Sequence, residues 1–184
     1  MYVIISELSE QAAVQVMHLW RRLNQSCGLE GIFNYPNPHF TWFSAEDLEI
    51  DRCKPILEAI SRGTQAFTIH TSAMEVFEGD DPVLYLKIVK SDELLDLHRK
   101  IWSQILPYVK NPSEYHSPEE WIPHITLSLR DLTYENLPCA IESIAHETLE
   151  IYSVASTISL VKSENKQTGE TIAVFDFSAG WEES

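Results

Sequence analysis

The chain writes one five-residue phrase twice, PHFTW at residues 38–42 and PHITL at 123–127, with the two histidines 85 residues apart. The hydrophobic pattern around each copy repeats as well. Counting from His39, Ile60 lies at +21, the next apolar β-type run begins near +26 and the last near +44. Counting from His124, Ile144 lies at +20, with the corresponding runs near +24 and +48. Upstream, YVIIS begins 37 residues before His39 and YLKIV 39 residues before His124, and each leads directly into helical spacing. A repeat that covers the whole chain restricts the fold to two structurally equivalent halves related by a pseudo-two-fold axis.

Within the halves, short strands alternate with amphipathic helices. Residues 2–8 form a β-branched apolar run, and Ser9 can cap a helix with Val16, Leu19, Trp20 and Leu23 on one face and Gly28 as its stop. HFTWFS is the next strand, followed by a helix over 52–61 and strands near 65–77 and 83–90. Ser91, Asp92 and Glu93 open a second long helix, since acidic residues suit a helix N-terminus. The strand HITLSLR, a helix near 135–146 and strands near 148–162 and 171–177 complete the chain. This order lacks long buried parallel-strand runs, so an α+β fold is expected, with helices on one face of each antiparallel sheet. No flexible linker divides the halves, and residues 1–184 are expected to form a single compact domain of two lobes.

The formal net charge is −15. A protein that grips long nucleic acid shows a basic face, because phosphate neutralisation supplies most of the non-specific affinity. Here the mean field repels a polyanion, so a phosphate ligand should be small or held by a local basic pocket. DNA is not an expected partner. No apolar run is long enough to span a bilayer, and MYVIISELSE has no basic n-region or long apolar h-region. A cytoplasmic monomer without membrane contact is therefore the expectation. Cys27, Cys53 and Cys139 are odd in number and far apart, with no disulfide framework or zinc spacing, and are expected as reduced thiols.

A histidine two residues before a hydroxyl side chain is a common coincidence. Four of the seven histidines have it: His39/Thr41, His70/Ser72, His124/Thr126 and His146/Thr148. Position in the repeat separates them. His39 and His124 each follow proline, open a strand and come after an aromatic-rich loop, whereas His70 falls mid-strand and His146 at a helix end. On a strand, His and Thr two apart point the same way. Two such strands beside a two-fold axis would bring two imidazoles and two hydroxyls to one cleft. One imidazole can then act as base and the other as acid, with the hydroxyls bonding phosphate oxygens and no metal or cofactor required.

With HFTW and HITL in these places, the chain resembles the two-histidine phosphoesterase superfamily, which includes 2′-5′ RNA ligases and cyclic phosphodiesterases. The resemblance covers essentially the whole chain. It implies a bilobal α+β fold with two antiparallel sheets, helices on the outer faces and a central cleft. It also implies metal-independent opening or closing of a cyclic phosphodiester, such as the 2′,3′-cyclic phosphate of a nucleotide or an RNA 3′ end. By the motif, His39 and His124 carry over as acid and base, with His124 assigned as base, and Thr41 and Thr126 as phosphate contacts. The motif leaves hydrolysis and ligation open, and a nucleotide-binding module without turnover or a purely structural protein is also compatible with these residues.

Members of that family often carry an arginine five residues after the second histidine; here that position is Leu129, and Arg130 follows. In a regular strand Arg130 would share the face of His124, Thr126 and Ser128 and reach phosphate, as Phe43 would share that of Thr41. Phe33, Tyr35, Tyr115 and Trp121 are candidates to stack a base at the cleft mouth. Tyr85 and Lys87 are weaker candidates. His18, His98 and His116 read as helix-face or loop residues.

Overall fold

The computed structural model describes residues 1–34, 37–164 and 168–178. Among these, nine strands and four helices follow in order: β1 Tyr2–Glu7, α1 Glu10–Cys27, β2 His39–Leu48, α2 Ile50–Arg62, β3 Phe67–Phe77, β4 Val83–Ile88, α3 Asp92–Ile105, β5 Val109–Pro112, β6 His124–Ser128, α4 Leu137–Ile144, β7 Tyr152–Ala155, β8 Thr157–Glu164 and β9 Thr168–Asp176. The expected strand at 148–162 is divided in two at Ser156, and β5 lies where a loop was expected.

Antiparallel pairing runs in the order β7-β3-β4-β6-β2-β1-β8-β9, with β5 added to β2. The two motif strands, β2 and β6, meet at the middle of this path through the single pair Phe40↔Ile125. On one side of that seam β2, β1, β8 and β9 form the first lobe; on the other β6, β4, β3 and β7 form the second. The halves of the sequence are interleaved between these lobes. β3, from the first half, lies between β4 and β7, while β8, from the second, pairs with β1. The helices cross over too: α1 packs on β6, β7 and α4, and α3 on α2 and β2.

Apolar spacing explains which faces are buried. Val16, Leu19, Trp20 and Leu23 of α1 and Leu94, Leu97, Ile101 and Ile105 of α3 are buried beneath the sheets with Phe40, Trp42, Ile125 and Leu127. Gly28 ends α1 in the left-handed region, at φ 70°, with its N–H on the Asn24 carbonyl. Ser91 caps α3 by accepting from the Leu94 N–H. Ser9 does not cap α1 through its side chain; its hydroxyl lies 3.2 Å from the Ser153 hydroxyl, to which its main-chain N–H donates.

The cysteines depart from expectation. Cys27, at the end of α1, is disulfide-bonded to Cys139 in α4, and Cys53 is a buried free thiol. Their 112-residue separation gave no local signal. Packing of α1 against α4 across the lobes brings them together.

Candidate active site

Both histidines are held in the same way. Pro38 and Pro123 lend their carbonyls to Leu8 and Ile88, at the ends of β1 and β4 respectively. The His39 Nδ1–H donates to the Asn37 carbonyl at 2.9 Å, and the His124 Nδ1–H to the Ile122 carbonyl at 2.7 Å. A carbonyl only accepts, so Nδ1 carries the hydrogen in both rings and Nε2 is the proton-exchanging nitrogen. Extending the Phe40↔Ile125 register by one residue each way sets His39 opposite Thr126 and Thr41 opposite His124. The main chain of each threonine is tied down from the core: Trp121 Nε1 donates to the Thr41 carbonyl and Trp20 Nε1 to that of Thr126, both at 3.0 Å.

A cleft of about 250 Å³ opens over this seam, with His39, Thr41 and Thr126 in its wall. His124, two residues before Thr126, adjoins it, packed edge-on against Phe77 and tilted over Tyr85. The floor extends over the first lobe through Val3 and Ile5 of β1 and Val161 of β8, with Ile32 and Leu129 on another side. Among the described residues lining it there is no lysine or arginine. A larger hollow of about 930 Å³, between the end of α2, the start of β3 and α3, holds no histidine.

Burial depresses the pKa of both motif histidines, because desolvation disfavours the imidazolium. The opposing influences differ. At His39 the Asn37 carbonyl and the Glu7 carboxylate favour the protonated ring. At His124 the Ile122 carbonyl does so, while charge on His39 works against it.

A β-bulge shapes both strands at the same offset. In β2, Phe43 and Thr41 oppose consecutive β1 residues, so Trp42 is the extra residue; in β6, Ser128 and Thr126 oppose consecutive β4 residues, so Leu127 is. An extra residue reverses the alternation of faces beyond it. Position +4 from each histidine, Phe43 or Ser128, therefore turns inward and is buried. Position +5, Ser44 or Leu129, lines the cleft.

A sequence model described as the 2′-5′ RNA ligase superfamily matches residues 9–167. The chain belongs to this superfamily. Solved structures share the fold. E. coli LigT complexed with 3′-AMP superposes with a TM-score of 0.66 at 14% identity, over 96% of this chain and 97% of that one. E. coli LigT complexed with phosphate gives 0.55 at 16%, over 96% of each chain. Kluyveromyces marxianus Usb1 gives 0.53 at 10%, over 93% and 96%. Among curated proteins, no sequence matches the chain.

Several residues expected at the site of a 2′-5′ RNA ligase superfamily member lie elsewhere. β6 ends at Ser128, and Arg130 is exposed at φ 76°, outside the cleft lining. The bulge gives the cleft-facing place to Leu129, and Phe43 is buried against Trp102 for the same reason. Trp121 is core rather than cleft mouth: it is 2% exposed and stacked between Trp42 and His98. Tyr115 is 83% exposed on a short 3-10 turn and lines no part of the cleft. Phe33 is half-exposed, edge-on to Trp20, and its neighbour Ile32 takes the wall position. Tyr35 lies outside the described residues. Tyr85 and Lys87 are both bonded to Glu75 at 2.9 Å, and Lys87 sits opposite His124 in register.

His116 is the lining residue that a reading by motif passes over. It ends a 3-10 turn, Glu114–His116, and its Nδ1 lies 3.1 Å from the Ser44 hydroxyl. Its carbonyl accepts from His98 Nε2 at 3.1 Å, and His98 is itself buried rather than on an open helix face. The signal was present in the repeat: His116 lies eight residues before His124, where the other half has Gly31, also in a 3-10 turn.

Proposed function

We propose that the chain is a metal-independent phosphoesterase that opens 2′,3′-cyclic phosphates of small nucleotides. The observation that carries this reading is the matched pair of Nδ1–H bonds to the carbonyl two residues back, which gives both histidines one tautomer. Each ring then offers Nε2 beside the threonine of the opposite strand. His124 Nε2 removes a proton from water as its oxygen bonds to phosphorus. The P–O bond to one ribose oxygen breaks in line, and His39, protonated at Nε2, gives its proton to that oxygen. Thr41 and Thr126 hydrogen-bond the non-bridging oxygens, where charge accumulates in the transition state. Glu7 supports His39 as the acid by favouring its protonated form.

The net charge of −15 and a cleft smaller than the ~300–1,000 Å³ of common ligand sites favour a small nucleotide over long RNA, and hydrolysis over end-joining. The 3′-AMP bound to LigT and the uridine monophosphate bound to Usb1 in structures of this fold support the same ligand class.

The test is hydrolysis of 2′,3′-cyclic mononucleotides, ADP-ribose cyclic phosphate and cyclic-phosphate-ended oligoribonucleotides. His39→Ala and His124→Ala should each lose at least ~10²-fold in turnover. Undiminished turnover in either variant, on a substrate the wild type cleaves, overturns the reading.

A further inference from the structure

On a frame with two equivalent halves, a substrate is oriented where the halves differ. The widest difference lies beyond the two bulges. There the cleft-facing residue is Ser44 on β2 and Leu129 just after β6. Against each stands the short turn that precedes the histidine of the opposite half. His116 meets the Ser44 hydroxyl, whereas Gly31 meets the Leu129 carbonyl so closely that a Cβ there would collide with it. One end of the site therefore presents an imidazole and a hydroxyl, and the other a leucine and backbone.

We propose that His116, held by Ser44, reads the edge of the nucleobase, and so sets which nucleoside the cleft accepts. This inference rests on the nucleotide reading above and extends it to a residue outside the repeated motif.

Position is the first argument. Ile5 of β1 lies opposite Thr41 and Val3 opposite Ser44. Two residues of strand set the Ser44 row about 7 Å beyond the threonine that contacts phosphate. A ribose spans that gap, so a group at Ser44 and His116 meets what the ribose carries. Val3, Ile5 and Val161 make an apolar bed beside it, suited to the face of a base.

Chemistry is the second. Burial, with charge on His124 and His98, pushes the His116 pKa down to about 4. The ring is thus neutral near pH 7 and, with Nδ1 engaged by the Ser44 hydroxyl, presents Nε2 as a single uncharged donor or acceptor, which matches a base edge better than a phosphate. No lysine or arginine among the described lining residues would neutralise a second phosphate at that end. Pre-ordering is the third. The Ser44 hydroxyl fixes the ring and the His98 bond fixes its main chain before ligand arrives.

Calorimetric titration tests this without relying on turnover. The wild type, His116→Ala, His116→Asn and Ser44→Ala are titrated with the four nucleoside 3′-monophosphates and with methyl riboside 3′-phosphate, which has no base. The wild type should prefer one or two bases. His116→Ala should weaken the preferred nucleotide about tenfold, the worth of one hydrogen bond whose partner is left unpaired, and leave the baseless ligand unchanged. His116→Asn, which keeps a donor and an acceptor, should recover most of the loss, and Ser44→Ala should show a smaller one. Equal loss on both ligands, no loss on either, no base preference or no nucleotide binding in the wild type each overturns the inference. Base-selective binding with no product formed would instead overturn the hydrolase reading and leave this one standing.

Discussion

Trp121 lies three residues before His124, yet its indole N–H donates to the carbonyl of Thr41, in the other half of the repeat, at 3.0 Å. The bond crosses the seam, so the loop that leads into one histidine also positions the hydroxyl residue that follows the other. Trp121→Phe keeps one aromatic ring but removes the donor and the second ring. It should cost at least about 1–3 kcal/mol in urea unfolding, from the buried carbonyl left unpaired together with the cavity left in the core. It should also lower kcat at temperatures where the variant remains folded. An unchanged kcat would show that Thr41 does not depend on this tie.

The reversal of faces beyond the β6 bulge separates two neighbouring residues. Arg130→Ala should leave kcat/KM within about twofold, as surface substitutions away from a site do. Leu129→Arg should bring a cation into the cleft and tighten binding of inorganic phosphate, with the gain falling as salt rises. The opposite ranking in phosphate titrations would mean that Arg130, not residue 129, faces the ligand.

Acid should destabilise the fold well above the carboxylate range. The pKa values of His98 and His116 are pushed down to about 4, first by burial. Such a group stabilises fully above its unfolded pKa near 6.5, and the contribution is lost as pH falls from there toward 4, because the unfolded chain takes up the proton first. His39 and His124 shift in the same direction. His98, almost wholly buried, should account for roughly 2 kcal/mol between pH 7 and pH 5. Urea midpoints at the two pH values check this, and His98→Gln should reduce the difference. Equal midpoints in the wild type would contradict it.

The disulfide between α1 and α4 closes a loop of 112 residues. Loop-closure entropy puts its worth at about 5 kcal/mol, less whatever structure the reduced unfolded chain retains. Cys139→Ser, or wild type in reductant, should melt roughly 10–20 °C lower for a chain of this size. Melting curves that coincide with and without reductant would show that the bond does not constrain the unfolded chain.

The repeat in the sequence was enough to pair His39 with His124 and to set their two strands side by side at a seam, because equal offsets survive folding. Offsets within a strand did not. Placing Arg130 and Phe43 on the cleft face assumed unbroken alternation, and a single unpaired residue, Leu127 or Trp42, reversed it. Neither residue marks a bulge by type, since both are ordinary buried apolar side chains. Trp121 was misplaced for another reason: its loop folds into the core, where a hydrogen bond across the seam satisfies its N–H. His116 stood at a repeat position, but its contact with Ser44, like the Cys27–Cys139 pair, was hidden by interleaving. Contacts between a loop of one half and a strand or helix of the other leave no periodic trace in either.

That interleaving also sets an order of events during synthesis. β3, β4, β6 and β7 have all been synthesised once residue 155 is made, before β8 is, so the lobe around the second histidine can close first. The lobe around the first must wait. β1 and β2 are complete by residue 48, but the partner of β1 on its other side is β8, which begins at Thr157. At ordinary elongation rates that is a delay of roughly 5–20 s. Throughout it, YVIIS presents an unpaired apolar edge, the kind of strand that captures other chains. Strand β1 thus keeps one edge without its final partner until β8 has been made.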